Sequence, residues 1–304
     1  MKSSMNYISV IITAYDRKEY LLQAINSTIK QSLSKDLYEI ILIKNFRDDD
    51  IDTFANKNNI INLFSENNTL SGKIMEAMEK AKGNILCFLD DDDIFYYEKL
   101  EYVLKKFAGN INLCYLHNNF TAIDKDGKPL AYYNKNPDFN MSSISMRKKI
   151  INIETFGGIS KSIDTLIYFY AKESKMEMEI DNIELTYYRV TDNSVTHSFT
   201  DLDSFIKFSY NSLKIILDSY NSMVSIFHSR DVLNNLQHKI SFTRIRLYMF
   251  GGNRPGLHDY LTLLFTPAME SRSYEIKVAL ASIVFKKYTI AKLYKNEIIK
   301  GKAK

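Results

Sequence analysis

SGKIMEAMEKAKGNILCFLDDDD, residues 71–93, packs a helix, a stop and a strand into one short stretch. Ile74, Ala77 and Met78 recur at helical spacing, and Gly83 is a residue that commonly ends helices. The apolar run ILCFL then reads as a strand, and it runs straight into Asp90, Asp91, Asp92 and Asp93. Working outward toward the N-terminus, YISVIITAY (7–15) is β-branched and apolar without strict alternation, which suits a strand covered on both faces. KEYLLQAINSTIKQSL carries Leu21, Leu22, Ile25 and Ile29 at helical spacing, and YEIILIKN and INLFSEN read as two further strands. Strands alternating with helices predict an open, mostly parallel but mixed α/β sheet, with ligand groups at the carboxyl ends of the strands.

Working toward the C-terminus, EKLEYVLKKF predicts an amphipathic helix and NLCYLHNNFTAI a strand. Residues 129–145 are polar and read as loops. SIDTLIYFYAKES follows the glycine pair Gly157–Gly158 as a helix, and IELTYYRVTDNSVTH reads as a strand with an exit loop. The composition shifts near residue 200, and helical patterns dominate beyond it. The expected organisation is an α/β domain at 1–199 and a helical region at 200–304.

The chain has 304 residues, 45% hydrophobic and 25% charged, which excludes disordered, collagenous and low-complexity classes. Cys87 and Cys114 are too few for a disulfide framework or a four-cysteine zinc site, and both lie in apolar runs, so packed free thiols in a reducing compartment are expected. There is no run of 18 apolar residues and no pattern of a secretory leader, so a cytoplasmic location is expected. Residues 1–200 carry 24 basic and 28 acidic side chains, and residues 201–304 carry 16 and 8. An acidic first part and a basic last part suggest different partners. Nucleic acid is not favoured, because no motif or aromatic-studded basic groove is visible.

Four successive acids at a strand end need a reason. Two carboxylates about 4 Å apart repel by roughly 1 kcal/mol in water and about 4 kcal/mol at an effective dielectric near 20. A hard divalent cation, Mg²⁺ or Mn²⁺, reverses that sign and also bridges phosphates. The competing reading is a solvated acidic turn. A second run, Asp48–Asp50 with Asp52, lacks the apolar approach and reads as a turn and helix start.

These segments together resemble glycosyltransferase family 2, with the GT-A nucleotide-sugar-binding fold. ISVIITAYDRKEYL resembles its opening strand and turn, YEIILIKNFRDD its second strand, and residues 71–93 the approach to its D-x-D motif. FGGISKSIDTLIYFYA resembles its acceptor-side segment and LTYYRVTDNS its closing strand. The resemblance covers roughly residues 6–197. It implies a metal-dependent, inverting transferase that moves a sugar from a nucleotide-diphospho donor of the UDP or GDP type to a glycan or lipid-linked acceptor. Thr13, Ala14 and Tyr15 would line the base and ribose pocket, with Tyr15 stacking on the base. Arg17 would reach the nucleotide, while Asp16 would do so or cap the first helix. Gly72 and Lys73 match a loop near the nucleotide, and a solvated helix-start lysine is the rival for Lys73. Asp90 would contact ribose and Asp92 the metal, with Asp91 and Asp93 leaving the register open by one residue. Asp164 matches the catalytic base, with Glu154 and Glu173 as rivals.

Two positions depart from the family pattern. Lys44–Asn45 stands where many members have an acidic pair reading the uracil edge, and Asn45 offers a donor and an acceptor instead. Thr191 stands where some members have a metal-binding His, and His197 is the nearest substitute. These departures motivate a rival: a non-catalytic nucleotide-binding protein with a helical interaction region. A nucleotidyltransferase is the second rival.

Beyond the resemblance, Lys277–Lys304 holds eight lysines and one acid, Glu297. Ile276, Leu280, Ile283, Val284 and Tyr288 would make an apolar stripe on that helix. A basic amphipathic helix of this kind reads as a peripheral membrane contact, at the inner face of the cell membrane, or as a helix packed on the first domain.

Overall fold

A computed structural model describes residues 6–130, 140–190, 201–266, 272–284 and 286–302. The chain divides into two compact units, one of residues 1–159 with 163–190 and one of 160–162 with 191–304.

The first unit follows the order β1 (Ile8–Ala14), α1 (Leu21–Ile29), β2 (Tyr38–Lys44), α2 (Asp49–Lys57), β3 (Ile61–Phe64), α3 (Leu70–Lys80) and β4 (Ile85–Asp90). It continues with β5 (Ile94–Phe95), α4 (Lys99–Gly109), β6 (Leu113–Ile123), β7 (Ile144–Arg147), α5 (Ile153–Phe156), α6 (Ile163–Glu173) and β8 (Glu177–Arg189). The described strands form an eight-stranded sheet in the order β3-β2-β1-β4-β7-β6-β8-β5. β1 pairs in parallel with β2 and β4, β2 with β3, and β6 with β8. β7 runs antiparallel between β4 and β6, and β5 runs antiparallel to β8.

Every residue of β1 is buried, as expected of a strand with helices on both faces. The chain leaves β1 toward β2 and β3, then returns through α3 to β4 on the other side of β1. The strand order therefore reverses at β1 and β4, the place where open α/β sheets leave a crevice. The register sets Thr13 beside Asp90 and Ala14 beside Lys44, so three carboxyl ends finish level. Gly83 makes the turn into β4 at a close approach: a Cβ there would sit 2.5 Å from the Ser9 nitrogen, and its own N–H donates to the Ser9 hydroxyl at 2.8 Å.

β7 is four residues long and begins at the very end of the polar stretch that reads as loop, and β5 is two residues long, so neither carries a usable periodic signal. Both cysteines are buried free thiols, in agreement with the sequence.

The second unit contains α7 (Leu202–Met223), α8 (Arg230–Met249), α9 (Leu257–Phe265), α10 (Arg272–Val284) and α11 (Lys286–Lys302). Asp201 caps α7 and Ser229 caps α8, each accepting from a first-turn N–H. Phe205, Phe242, Ile245, Met249 and Leu263 centre its core. Buried His238 joins Glu275 at 2.7 Å and the Thr266 hydroxyl at 2.6 Å. Among the described residues no helix is long and apolar enough to cross a membrane.

Candidate active site at the ends of β1 and β4

The four acids do not share one environment. Asp91 and Asp93 are buried, whereas Asp90 and Asp92 are only half-buried. Asp91 accepts the Tyr15 N–H at 3.2 Å and the Arg17 guanidinium at 2.5 Å. Asp93 accepts the Ser142 hydroxyl at 2.6 Å and the Arg189 N–H at 2.8 Å. Asp92 pairs with the second Arg17 nitrogen at 2.7 Å. Asp90 lies beside Thr13, whose hydroxyl donates at 3.5 Å. The alternation along the chain thus turns every second acid inward.

Crowding like charges in a half-dry turn has the expected effect. Burial, with Asp92 and Asp91 beside it, pushes Asp90 up to about 7; Arg17 opposes this and Asp164 adds to it. Burial pushes Asp91 up to about 6, with Arg17 pulling the other way. For Arg17, burial works against the charge, but Asp92 and Asp91 outweigh it and hold the guanidinium above its usual value.

The exit from β1 is a kinked turn. Asp16 adopts φ 53°, in the left-handed region, and exchanges two hydrogen bonds with Asn45: its N–H reaches Oδ1 at 3.0 Å, and Asn45 Nδ2 reaches its carboxylate at 2.9 Å. α1 is preceded by Tyr20 with no side-chain cap, so Asp16 does not cap the first helix. Asn45 spends both ends of its amide on Asp16. Lys44 is buried, pairs with Asp52 at 2.7 Å and donates to the Phe46 carbonyl at 2.9 Å. Ala14 belongs to the hydrophobic core and Thr13 is nearly covered. Tyr15 is 52% exposed, its ring under the Lys73 ammonium at 4.6 Å.

Lys73 is not a solvated lysine. It is buried in the first turn of α3, and its ammonium donates to the Asn67 carbonyl at 2.5 Å. Burial lowers its pKa, opposed by Glu76 and Asp16. Gly72 is packed beneath Asn67, whose side chain a Cβ at Gly72 would meet at 2.1 Å. Asp48 caps α2, as its sequence context suggests, accepting the Ile51 N–H at 3.0 Å.

Asp164 stands in the first turn of α6, close enough to Asp90 and to the buried Tyr115 to raise both. Glu154 lies in the first turn of α5 and Glu173 ends α6. His197 and Thr191 fall outside the described residues.

The supports of this turn carry no motif. Ser142 accepts the Asp90 N–H at 3.0 Å while donating to Asp93. The Arg189 guanidinium donates to the carbonyls of Asp92 (2.8 Å), Asp124 (3.1 Å) and Lys125 (3.0 Å) and to Gln23 Oε1 (2.7 Å). Lys99, fully buried, donates to Asn118 Oδ1 at 2.9 Å, the Ser142 carbonyl at 2.5 Å and the Thr186 hydroxyl at 3.1 Å. Its place four residues before Val103 and eight before Phe107, on the buried face of α4, is the one signal that could have found it.

A divalent cation fits this turn in a specific sense. Among the described residues no three His, Cys, Asp or Glu groups converge on a metal position. Asp90 and Asp92 offer two crowded carboxylates, the donor set of a cation that takes its other oxygens from phosphate and water.

Residues 9–166 match the family model for Glycosyl transferase family 2. The chain belongs to that family. An uncharacterized glycosyltransferase of Rickettsia bellii is 32% identical over 131 residues, 42% of this chain and 19% of the relative. One from Haemophilus influenzae is 31% identical over 133 residues, 42% of this chain and 52% of the relative. The match thus spans between about a fifth and a half of the length of these relatives. Among solved structures, S. aureus TarS 1–349 in complex with UDP-GlcNAc superposes with a TM-score of 0.53 at 15% identity, over 95% of this chain and 92% of that one. The mannosyltransferase PcManGT of Pyrobaculum calidifontis, in complex with GDP-Man and Mn²⁺, gives 0.57 at 10% identity, over 99% and 87%. These likenesses are of fold: a GT-A architecture with its mixed central sheet and C-terminal helices.

Proposed function

We propose that this family 2 chain is an inverting, metal-dependent glycosyltransferase, with residues 1–199 as the catalytic domain and 200–304 as a helical region. The observation that carries the reading is Asp90 at the acidic turn with Asp164 near enough to raise it. One ends β4 at the crevice between β1 and β4, the other opens α6, and they lie within electrostatic reach of each other. On this reading Asp90 serves as the donor-side acid and Asp164 as the acceptor-side acid of one site.

The donor is a nucleotide-diphospho sugar of the UDP or GDP type, in keeping with the nucleotides bound in the two structural neighbours. The exposed ring of Tyr15 stacks on the base, since any base offers a π-face. Asp90 takes the ribose, and Asp92 with Asp90 beside it holds Mn²⁺ or Mg²⁺. When bound, that cation supplies Lewis-acid neutralisation of the departing diphosphate. Arg17, a fixed cation on Asp91 and Asp92, keeps the turn folded and adds positive charge beside the diphosphate.

Asp164 accepts the proton of the acceptor hydroxyl. The hydroxyl oxygen bonds to the anomeric carbon as the bond to the diphosphate oxygen breaks on the opposite face, so the configuration inverts. A positioned carboxylate contributes typically about 10²–10⁴-fold to such a step. The acceptor is a glycan or a lipid-linked glycan, and the work is done in the cytoplasm.

The test is incubation with UDP- and GDP-sugars, with and without Mn²⁺, following release of nucleoside diphosphate. Mn²⁺-dependent diphosphate release from one donor is expected. Pyrophosphate release from a nucleoside triphosphate, or no turnover of any nucleotide sugar, would overturn the reading.

A further inference from the structure

The helical unit carries a surface that the sequence only half discloses. On α9, Leu257 is 74% and Phe265 81% exposed, with Leu261 and Leu264 also open to water. On α10, Leu280, Ile283 and Val284 are exposed, and Tyr288 on α11 joins them. Leu257, Leu261 and Leu264 follow the i, i+4, i+7 spacing of one helix face, and so do Ile276, Leu280 and Ile283. A cavity of about 750 Å³ lies among Leu257, Leu264, Ile276, Leu280 and Ile283, with Arg254 on its lining. Single apolar residues on a surface are ordinary, but a contiguous set on neighbouring helices marks an interaction site.

The charges on these helices are sorted. Among the described side chains of residues 251–295, the acids are Asp259 and Glu275, and both are buried. Asp259 accepts the Gly256 N–H at 3.0 Å and faces Arg244, while Glu275 is bound to His238. Arg254, Lys277, Lys287, Lys292 and Lys295 are exposed. The described outer surface therefore offers apolar side chains and cations, with no exposed acid to oppose them.

From this we infer that α9, α10 and α11 together form a docking surface for an anionic phospholipid membrane, with hydrocarbon entering the cavity between α9 and α10 and headgroup phosphates meeting Arg254 and the lysines. The kind of cation decides for lipid over an acidic protein. Cores of protein–protein interfaces are depleted of lysine, whereas lysines flanking an apolar face are the mark of helices lying in a membrane interface, where long stems let the ammonium reach the headgroups. The surface differs from the single helix the sequence suggests. α10 and α11 are separate elements, and α9, outside the basic segment, supplies two of the most exposed apolar residues. The inference stands apart from the sugar-transfer reading, because membrane binding needs no donor.

The experiment uses the whole chain and vesicles of phosphatidylcholine with or without phosphatidylglycerol. The chain holds no tryptophan, so Phe265→Trp and Leu280→Trp each install a single reporter at an already exposed position. Both are expected to shift to the blue on anionic vesicles at low salt, and the shift is expected to fall at high salt. Replacing Lys277, Lys287 and Lys292 by glutamine together is expected to weaken binding about a hundred-fold. Leu257→Ser with Phe265→Ser is expected to weaken it at least about ten-fold with no change of charge. Circular dichroism checks that the variants keep their helices, and the tryptophan variants decide the matter should the serine pair unfold. Absence of any shift with anionic vesicles, equal binding to neutral ones, or retention on polyglutamate without vesicle flotation would overturn the inference.

Discussion

Lys99→Met tests the clamp beneath the acidic turn. The ammonium donates to three buried acceptors, but two of these have other partners. The Ser142 carbonyl also accepts the Thr186 hydroxyl at 3.0 Å, and that hydroxyl accepts from Asn118 Nδ2 at 3.2 Å. Only Asn118 Oδ1 loses its partner outright, a loss of about 1–3 kcal/mol for a stranded buried acceptor. Burial works against the charge, pushing Lys99 from 10.5 to about 7, with Cys87 and Asp93 opposing. Above pH 7 the folded chain releases this proton while the unfolded chain keeps it up to about 10.5. The unfolded state then binds more protons, so stability rises with pH in that window and is level below it. The wild-type advantage over Lys99→Met should therefore grow by about 2–3 kcal/mol over the two pH units above 7. Two compact units make a single global transition unsafe, so the readout is hydrogen exchange of β6 amides in urea. An advantage that stays level or shrinks over those two units would refute the lowered ammonium. A methionine variant as stable as wild type throughout would refute the clamp.

Asp92→Asn keeps the side chain's size but removes a charge and weakens its pairing with Arg17, so Mn²⁺-dependent binding of UDP or GDP should weaken and transfer should collapse; calorimetry giving the wild-type affinity would remove Asp92 from the metal site. Asp164→Asn should leave donor binding nearly unchanged while turnover falls by roughly 10²-fold or more, and near-normal turnover with a hydroxyl acceptor would end its role as base. Tyr15→Ala should cost about 1–3 kcal/mol of nucleotide binding, read by calorimetry, and an unchanged affinity would show that the base does not stack there.

The parts of the fold legible in the sequence are those whose reason is local. β1, β2 and β4 are continuous apolar runs because both faces are covered, and the helices between them follow from spacing. The crevice between β1 and β4 is legible because strand order and acid placement coincide there. Ser142 and Arg189 are illegible for the opposite reason: they meet Asp93 across 49 and 96 residues, and nothing in a serine or arginine marks a distant partner. Asn45 reads as a base-recognition residue because its amide can donate and accept. The structure gives both functions to Asp16, and the pairing needs the left-handed turn that no local pattern announces. Lys73 reads either as a lysine near the nucleotide or as a solvated helix-start lysine, yet its ammonium donates to the Asn67 carbonyl and lies over the Tyr15 ring.

The acidic run itself shows how one residue type is divided by geometry. The chain turns as it leaves β4, the Asp93 N–H reaching back to the Asp90 carbonyl at 3.3 Å, so four aspartates cannot all face one ligand. The inward pair is held by donors fixed elsewhere: Tyr15 N–H and Arg17 for Asp91, Ser142 and the Arg189 N–H for Asp93. Those bonds anchor both sides of the crevice, since one donor set belongs to the exit of β1 and the other to the segment before β7 and the end of β8. The outward pair, Asp90 and Asp92, is half-buried at the crevice, Asp92 paired with Arg17 at 2.7 Å and Asp90 beside the Thr13 hydroxyl. The crowding is visible in Asp90, raised to about 7 by burial and by the charges on Asp92 and Asp91. On the proposed reading a bound cation would relieve this repulsion, adding to what Arg17 already offsets. Neutralising either inward acid should therefore disturb the outward pair through position, whereas neutralising Asp92 should remove a charge and loosen its pairing with Arg17 together.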